Sequence, residues 1–322
     1  MTGDSLGIIP ERIIMSNLVK RFVSRSRKKI FLIRQDRRIR ELDSQFDQQN
    51  LSSVWPPIPR PSINFNQSPS NSIEEYMDIY LRSSRDLELP FLISRGSLGE
   101  LSCTLDFGCG LGRLASAFAF ANGSCGSYFG YEPETVALDW LKSEYSGNEF
   151  FRYGGSPLPQ DMNYVTNLGN LGTAEKAFEG RLGALPDPQV LTNLLDGHKF
   201  NLQFSSSVFT HMWGEDVVET IKRFRPIAAR DAIFVNTWLI VDDFAQDALN
   251  LGLTDRRLPI EVGGILTYSD SNPLVCTAFR LREVERIYAE AGHEIQEILY
   301  GSWSGRTNGV TYQDIVISKE AV

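Results

Sequence analysis

The sequence has few cysteines, few histidines and no long apolar run. Its 322 residues include four cysteines and three histidines. The cysteines lack paired zinc-finger spacing and are too few for a disulfide scaffold, so we expect no metal site and a reducing compartment. No apolar stretch approaches the ~20 residues of a membrane-spanning helix, and the N-terminus lacks the apolar core of a signal peptide. These features predict a soluble, cytoplasmic protein.

The composition is that of a folded protein with an uneven distribution of charge. Hydrophobic residues make up 42% and charged residues 22%, which is enough for a core in one large domain with additions, or in two. Residues 1–40 hold eleven Lys/Arg against three Asp/Glu, a net +8, which leaves −16 on the rest of a chain of net charge −8. So acidic a body argues against binding to nucleic acid.

Residues 1–50 are predicted to form a basic helical arm. Within 11–48, apolar residues recur at helical spacing on an otherwise polar sequence: Ile14, Leu18 and Phe22, then Ile39, Leu42 and Phe46. Two interpretations stay open. The arm contacts an anionic membrane surface or a charged polymer, which would attach a cytoplasmic protein to a membrane-bound assembly. Alternatively, it is a solvated helix that makes oligomer contacts.

Residues 51–100 are predicted to be a linker and a helical cap. Five prolines between 51 and 70 indicate an extended segment. Ser72 and Glu75 have the spacing of a capping box at a helix start, and Tyr76, Ile79 and Tyr80 supply an apolar face. We expect this helix to lie over the mouth of the domain that follows.

Residues 101–322 alternate short apolar runs with helical stretches. Strands are predicted near 102–107, 127–131, 149–153, 200–207, 231–239, 294–300 and 311–318. Helices are predicted near 112–121, 134–145, 214–224 and 280–291. This alternation predicts an α/β fold with a mainly parallel, Rossmann-like sheet. Two stretches near 155–199 and 241–279 exceed ordinary connections and are predicted to be insertions that act as lids or binding elements.

A glycine-rich turn follows the first predicted strand, at 105–113 (LDFGCGLGR). Gly108 and Gly110 permit a tight turn on which a ligand can lie directly against the backbone. The helix that begins near Gly112 offers unpaired N–H groups to a carboxylate or phosphate. Asp106, just before the turn, is placed to accept a hydrogen bond from an ammonium or hydroxyl group.

A second acid supports a nucleotide site. Glu132 ends the second predicted strand, where an α/β nucleotide site places the carboxylate that holds the ribose hydroxyls. Dinucleotide dehydrogenases carry a third glycine where this chain has Arg113, and Asp106 would repel a pyrophosphate. An adenosine joined to methionine suits both acids and the helix N-terminus, and that ligand is S-adenosylmethionine.

With these motifs the chain resembles the class I S-adenosylmethionine-dependent methyltransferases over residues 101–318, including the segments 200–211 and 223–226. The resemblance implies a seven-stranded sheet whose last strand, 311–318, runs antiparallel. The sequence departs from the family pattern at Asn201, at 227–229 and at 154–155. The residues predicted to bind the cofactor are Asp106, Gly108, Gly110, Gly112, Arg113, Glu132, Ser206 and Ser207.

The acceptor is expected beyond the carboxyl ends of the parallel strands. His211, after strand four, is predicted to be the catalytic base, with helix capping or pocket shaping as the alternative. Trp238, Trp303 and Arg306 are predicted to bind substrate, since an exposed aromatic face beside a guanidinium suits a sugar or an anion. Core packing is the alternative for both tryptophans. His198 and His293 are predicted to be a surface residue and a structural residue, respectively.

The predicted function is transfer of a methyl group from S-adenosylmethionine to a small-molecule or saccharide acceptor. Nitrogen acceptors commonly use an Asn/Asp-Pro-Pro-aromatic turn after strand four, and the sequence 206–209 (SSVF) lacks it, which favours oxygen. Two other functions stay open. One is a nicotinamide-dependent oxidoreductase on the same sheet, and the other is a cofactor-binding scaffold without catalysis.

Overall fold

A computed structural model describes residues 39–51, 54–63, 72–85, 103–121, 126–156, 185–270 and 273–321. These residues belong to two compact units. One comprises the described residues up to Val54 together with Arg60–Met77, and the other comprises Trp55–Pro59 and Asp78 onwards. In the described ranges, no helix combines the length and the apolar character needed to cross a lipid bilayer.

The smaller unit contains the only part of the predicted arm that the structure describes. Residues 39–48 are helical, and the remainder of the arm, including Ile14, Leu18 and Phe22, lies outside the described residues. Arg60, which follows this helical segment, forms an ion pair with Asp47 inside it. Helix α1 (Ile73–Arg85) begins as predicted, because the Glu75 backbone N–H donates to Ser72 Oγ over 3.1 Å.

The larger unit is built on a seven-stranded sheet. Its strands are β1 (Cys103–Phe107), β2 (Ser127–Tyr131), β3 (Phe151–Gly154), β4 (Phe200–Ser205), β5 (Ala228–Trp238), β10 (His293–Leu299) and β11 (Asp314–Glu320). They lie in the order β10-β11-β5-β4-β1-β2-β3. Strand β11 pairs antiparallel with both β10 and β5, and the other pairs are parallel. The predicted mainly parallel sheet with an antiparallel last strand is confirmed.

Helices cover the sheet. They are α2 (Arg113–Ala121), α3 (Thr135–Glu144), α4 (Pro188–Leu195), α5 (Gly214–Phe224), α6 (Asp243–Leu251) and α7 (Leu281–Glu290). Every residue of the interior strand β1 is buried, as expected for a parallel strand covered on both faces. Helix α5 buries Val217, Ile221 and Phe224 at three- and four-residue spacing, so one face of the helix contributes to the core.

Two helices lie in the stretches that the sequence marked as insertions. Asp187 caps α4 by accepting hydrogen bonds from the backbone N–H groups of Gln189 and Val190. Asp242 caps α6 by accepting from the Ala245 N–H over 2.9 Å. The second insertion also contains a two-residue strand, β6 (Ile240–Val241), and a hairpin of β7 (Ile260–Val262) and β8 (Ile265–Thr267), and ends at β9 (Phe279–Arg280). Residues 157–184 of the first insertion lie outside the described residues.

Two departures from the family pattern have structural explanations. Asn201 Oδ1 accepts a hydrogen bond from the Cys103 N–H over 2.8 Å, so this side chain supports the start of β1. Gly155 packs against the backbone after β2, because a Cβ added there would lie 1.8 Å from the Glu132 carbonyl oxygen. A glycine after β3 therefore lets the two strand ends approach each other.

Candidate active site

The glycine turn at the end of β1 forms the floor of the candidate site. Gly108 and Gly110 adopt φ angles of +73° and +54°, which glycine tolerates far better than other residues. A Cβ on Gly108 would lie 2.4 Å from Val208 Cγ2, so the loop after β4 approaches this backbone closely. A Cβ on Gly110 would meet no atom within 4 Å. Val208 therefore fills the space beside Gly108, whereas the space beside Gly110 is open.

Glu132 lies directly beside this opening. Its Oε2 accepts a hydrogen bond from the Gly110 N–H over 2.7 Å, and its Oε1 accepts one from the Glu134 N–H over 2.9 Å. The side chain is buried, and burial raises the pKa of its carboxyl to about 7, although the two amide bonds oppose this shift. Each carboxylate oxygen retains a lone pair for a ligand hydroxyl.

Asp106 lies one strand residue before the turn and is also buried. Its Oδ2 accepts a hydrogen bond from the hydroxyl of Tyr128. Asp106 pairs in register with Gly130, which in turn pairs with Tyr153. Because Gly130 has no side chain, the Tyr153 ring lies over it, and an added Cβ would be 2.6 Å from that ring. The structure thus places both predicted acids at the glycine turn.

The remaining predicted cofactor residues begin α2 or follow β4. Gly112 precedes α2 with φ +74°, and Arg113 is the exposed first residue of that helix. Ser206 is half-buried. Ser207 has φ +60°, its N–H donates to Thr237 Oγ1 over 2.7 Å, and its Oγ accepts from Gln313 Nε2 over 3.0 Å. Whether these residues bind a cofactor stays a prediction.

His211 ends a short 3₁₀ turn, Phe209–His211, after β4. Its Nδ1 lies 3.0 Å from the Leu274 carbonyl oxygen, which can only accept, so the neutral ring carries its proton on Nδ1. Nε2 is then the basic nitrogen. Burial, followed by the nearby charge of Arg256, lowers the pKa of His211 below its usual value. The lowered pKa favours the neutral form of the imidazole.

The end of the second insertion holds the 3₁₀ turn in place. The Thr277 N–H donates to the Thr210 carbonyl oxygen over 2.7 Å, and Thr277 Oγ1 donates to the Phe209 carbonyl oxygen over 3.2 Å. Together with the bond between His211 and Leu274, these contacts join the predicted base to residues 274–277. The insertion near 241–279 thus reaches the carboxyl edge of the sheet.

The two tryptophans occupy the core, contrary to their predicted role. Trp238 is fully buried, packs against Phe209 and Phe279, and donates its indole N–H to the Tyr288 hydroxyl. Trp303 is also fully buried, so the expected exposed aromatic face is wrong. Neither indole offers a surface to an acceptor, and the packing alternative describes both.

Arg306 is similarly engaged within the protein. Its Nη2 lies 2.5 Å from Asp242 Oδ2, and its guanidinium lies 4.3 Å from the ring centres of both Phe244 and Tyr300. A substrate anion would have to displace this part-buried ion pair. The structure therefore corrects the expectation that Arg306 is available to an acceptor.

Asp314 explains why Trp303 points inwards. The buried carboxylate accepts hydrogen bonds from the backbone N–H groups of Gly301 and Ile240, over 2.7 and 2.6 Å, and from Trp303 Nε1 over 2.7 Å. Burial raises the pKa of Asp314 to about 6, and these three donors oppose the shift. The carboxylate fixes the loop that precedes β11.

Replacing Trp303 with phenylalanine should lower the free energy of unfolding by ~1–3 kcal/mol, because a buried carboxylate loses one of its donors. Loss of a donor to the charged form raises the pKa of Asp314 further. A raised folded-state pKa stabilises the fold at low pH, and this contribution disappears as the pH rises through about 6. The free energy of unfolding that Trp303→Phe loses should therefore be larger at pH 8 than at pH 5. Urea unfolding at both pH values measures it.

The half-buried Trp140 provides a matched control, since no hydrogen bond joins its indole to any residue the structure describes. Trp140→Phe should show no difference between pH 5 and pH 8. A pH-independent loss in Trp303→Phe would contradict the role assigned to Asp314.

The other two histidines lie away from the site. His293 is buried, its Nδ1 is 3.3 Å from Ser318 Oγ, and its ring packs edge-on against Phe234. His198 is exposed before β4. Both positions agree with the sequence interpretation, so among the three histidines only His211 lies at the carboxyl edge.

Sequence reasoning missed several polar residues near His211. Gln313 bridges Ser207 and Thr237. Arg256 donates from Nε to the Tyr312 hydroxyl over 3.2 Å. Apart from the length of the insertion that contains it, no local pattern distinguishes Arg256, and Gln313 belongs to a run that was predicted as a strand.

No protein-family model matches the chain. Magnesium protoporphyrin IX methyltransferase from Synechocystis PCC 6803, solved with bound SAH, is 12% identical, with TM-score 0.44 over 80% of this chain and 91% of that one. A S-adenosylmethionine-dependent methyltransferase from Clostridium acetobutylicum is 9% identical, with TM-score 0.44 over 77% and 99%. DesVI from Streptomyces venezuelae is 16% identical, with TM-score 0.43 over 76% and 95%. These values say nothing about substrate.

The order and directions of the seven strands give the topology of the sheet. From one edge the sheet runs β3-β2-β1-β4-β5-β11-β10, with β11 alone antiparallel, and the glycine turn follows the interior strand β1. This is the arrangement that the resemblance implied. The sheet thus has the topology of the class I S-adenosylmethionine-dependent methyltransferase fold.

Proposed function

We propose that the protein transfers a methyl group from S-adenosylmethionine to an oxygen atom of a small molecule, a saccharide included. The observation that supports this most directly is the position of Glu132, whose carboxylate lies against the Gly110 amide at the open side of the glycine turn. A carboxylate in that position can hold both hydroxyls of a ribose.

The residues at the turn fit the proposed cofactor. No atom lies within 4 Å of the position that a Cβ on Gly110 would occupy, which leaves room for a nucleoside against the backbone. The N-terminus of α2 can receive a carboxylate, and Asp106 lies beneath the same turn to balance an ammonium group. When bound, S-adenosylmethionine supplies an electrophilic methyl group. Arg113, where a third glycine would lie, disfavours the alternative of a nicotinamide dinucleotide.

His211 is suited to remove the proton of an oxygen acceptor. Its Nδ1–H is committed to the Leu274 carbonyl oxygen, so Nε2 is the atom that receives a proton. Burial lowers its pKa and so favours the unprotonated form that a general base needs. The contacts from residues 274–277 hold the ring in one orientation.

Calorimetric titration with S-adenosylhomocysteine tests cofactor binding, and mass spectrometry of cell extracts incubated with labelled S-adenosylmethionine tests transfer. Binding together with a labelled product supports the proposal. Binding without any labelled product favours the non-catalytic scaffold. Stabilisation by NAD without binding of S-adenosylhomocysteine favours the oxidoreductase.

The affinity for S-adenosylhomocysteine should fall about tenfold between pH 8 and pH 6. The pKa of Glu132 is raised to about 7, and the ribose hydroxyls donate to the ionised form, so protonation below pH 7 competes with binding. Binding near neutral pH should therefore release a proton. Titrations in buffers of different ionisation enthalpy measure both effects.

Two variants isolate the contribution of Glu132 to this pH dependence. Glu132→Gln cannot ionise and should bind with an affinity that changes little between pH 6 and pH 8. Glu149→Gln, which changes an exposed acid, should retain the wild-type dependence. An unchanged dependence in Glu132→Gln would assign the titration to another group.

A further inference from the structure

Arg256 has no acidic partner among the described residues, although other arginines of the same region do. Arg280 pairs with Glu261 over 2.8 Å, and Arg306 pairs with Asp242. Arg256 instead donates its Nε–H to the neutral Tyr312 hydroxyl, and its guanidinium lies 5.9 Å from the centre of the Tyr312 ring. Its charge is thus oriented by the protein but is not neutralised by a carboxylate of the described chain.

The contacts of Tyr312 place this cation next to the proposed acceptor site. The following residue, Gln313, donates to Ser207 in the loop after β4 that also contains His211. Tyr312 itself belongs to the loop that precedes β11, and its carbonyl oxygen accepts from the Trp303 N–H. Arg256 therefore lies beside the loop that contains the proposed base, on a segment of the second insertion.

The charge of Arg256 affects the pKa values of neighbouring groups. Burial raises the pKa of the Cys276 thiol, and Arg256 opposes that shift. Arg256 also contributes to the lowered pKa of His211. Cys276 lies two residues after Leu274, the partner of His211 Nδ1. The Arg256 guanidinium, the His211 imidazole and residues 274–276 thus lie near one another.

We infer that Arg256 binds an anionic oxygen group of the acceptor, a carboxylate or a phosphate, while the atom to be methylated faces His211. The inference rests on the proposed function and specifies its substrate class. A guanidinium whose Nε is fixed by Tyr312 keeps its terminal N–H donors for a two-point contact with such an anion. Tyr268, 46% exposed, lies near the same cation, since burial raises the pKa of its hydroxyl and the charge of Arg256 opposes that shift.

The test uses the full-length chain labelled with ¹³C at histidine Cε1, because three histidines give three assignable signals. The probes are benzoate, phenyl phosphate and the neutral benzamide, each added with saturating S-adenosylhomocysteine and repeated without it. Benzoate or phenyl phosphate should shift the His211 signal and not those of His198 and His293. A response to one anion alone identifies the preferred group, and benzamide should cause no shift.

Two adjacent arginines give the matched variants. Arg256→Met should weaken the apparent affinity for the effective anion about tenfold or more, whereas Arg257→Met, at an exposed neighbour, should leave it unchanged. Equal shifts with benzamide, no response of His211 to either anion, or an undiminished response in Arg256→Met would each overturn the inference. Failure of S-adenosylhomocysteine to bind overturns the proposed function instead, and the anion titration without it still tests Arg256.

Discussion

Replacing His211 with asparagine is expected to lower kcat for methyl transfer by about 10²–10⁴-fold, the usual contribution of a positioned general base. Asparagine can still donate to the Leu274 carbonyl oxygen, so the turn Phe209–His211 should persist. It lacks a nitrogen that accepts a proton near neutral pH. Initial rates on the acceptor found in labelled extracts measure the loss.

Several readouts separate a base from a merely structural histidine. In His211→Asn the KM for the acceptor and the affinity for S-adenosylhomocysteine should stay near wild type. The residual rate should rise with pH, because a more alkaline medium ionises the acceptor without help. His198→Asn, at the exposed histidine, should retain full activity. A kcat within a few-fold of wild type in His211→Asn would show that another group, or none, removes the proton.

Replacing Glu132 with glutamine is expected to weaken binding of S-adenosylhomocysteine about 10–100-fold at pH 8. Charge-assisted hydrogen bonds contribute ~1.5–3 kcal/mol, and the substitution removes the charge that the ribose hydroxyls would meet. The glutamine side chain has only one acceptor oxygen, so its NH₂ group faces the N–H of Gly110 or of Glu134. One of these two backbone N–H groups therefore loses its acceptor as well. Isothermal calorimetry gives the affinity directly.

Glu149→Gln serves as the control for this change, because it removes one negative charge at an exposed position. Circular dichroism and thermal unfolding establish that Glu132→Gln is folded. If the folded variant binds S-adenosylhomocysteine as tightly as wild type, the glycine turn holds its ligand without this carboxylate, and the main support for the proposed cofactor is lost.

The sheet could be predicted from sequence because its strands are short apolar runs with clear ends. β2 (Ser127–Tyr131) and α5 (Gly214–Phe224) have the predicted bounds, and the other predicted strands and helices differ by a few residues. Glycines and acidic residues lie at the strand ends, and the same residues form the candidate site. Local sequence therefore carried both the fold and the cofactor motif.

The acceptor side could not be predicted in the same way, since its side chains are oriented by partners far along the chain. Trp303 turns inwards towards Asp314, and Arg306 is held by Asp242, 64 residues away. Helix α6, between Asp242 and Gly252, has cap residues at both ends, yet the sequence analysis predicted no helix in this insertion. Periodicity describes a residue's own element and does not show which distant group will pair with it.

The hydrogen bonds from residues 274–277 to the turn Phe209–His211 have a consequence for protein engineering. A chimaera that exchanges 241–279 for the corresponding region of another protein of this fold would also replace the segment whose main-chain carbonyl orients the imidazole. Grafts that end before Leu274 and keep Leu274–Thr277 native should retain turnover. Grafts that extend through this tetrapeptide would need a replacement acceptor for His211 Nδ1.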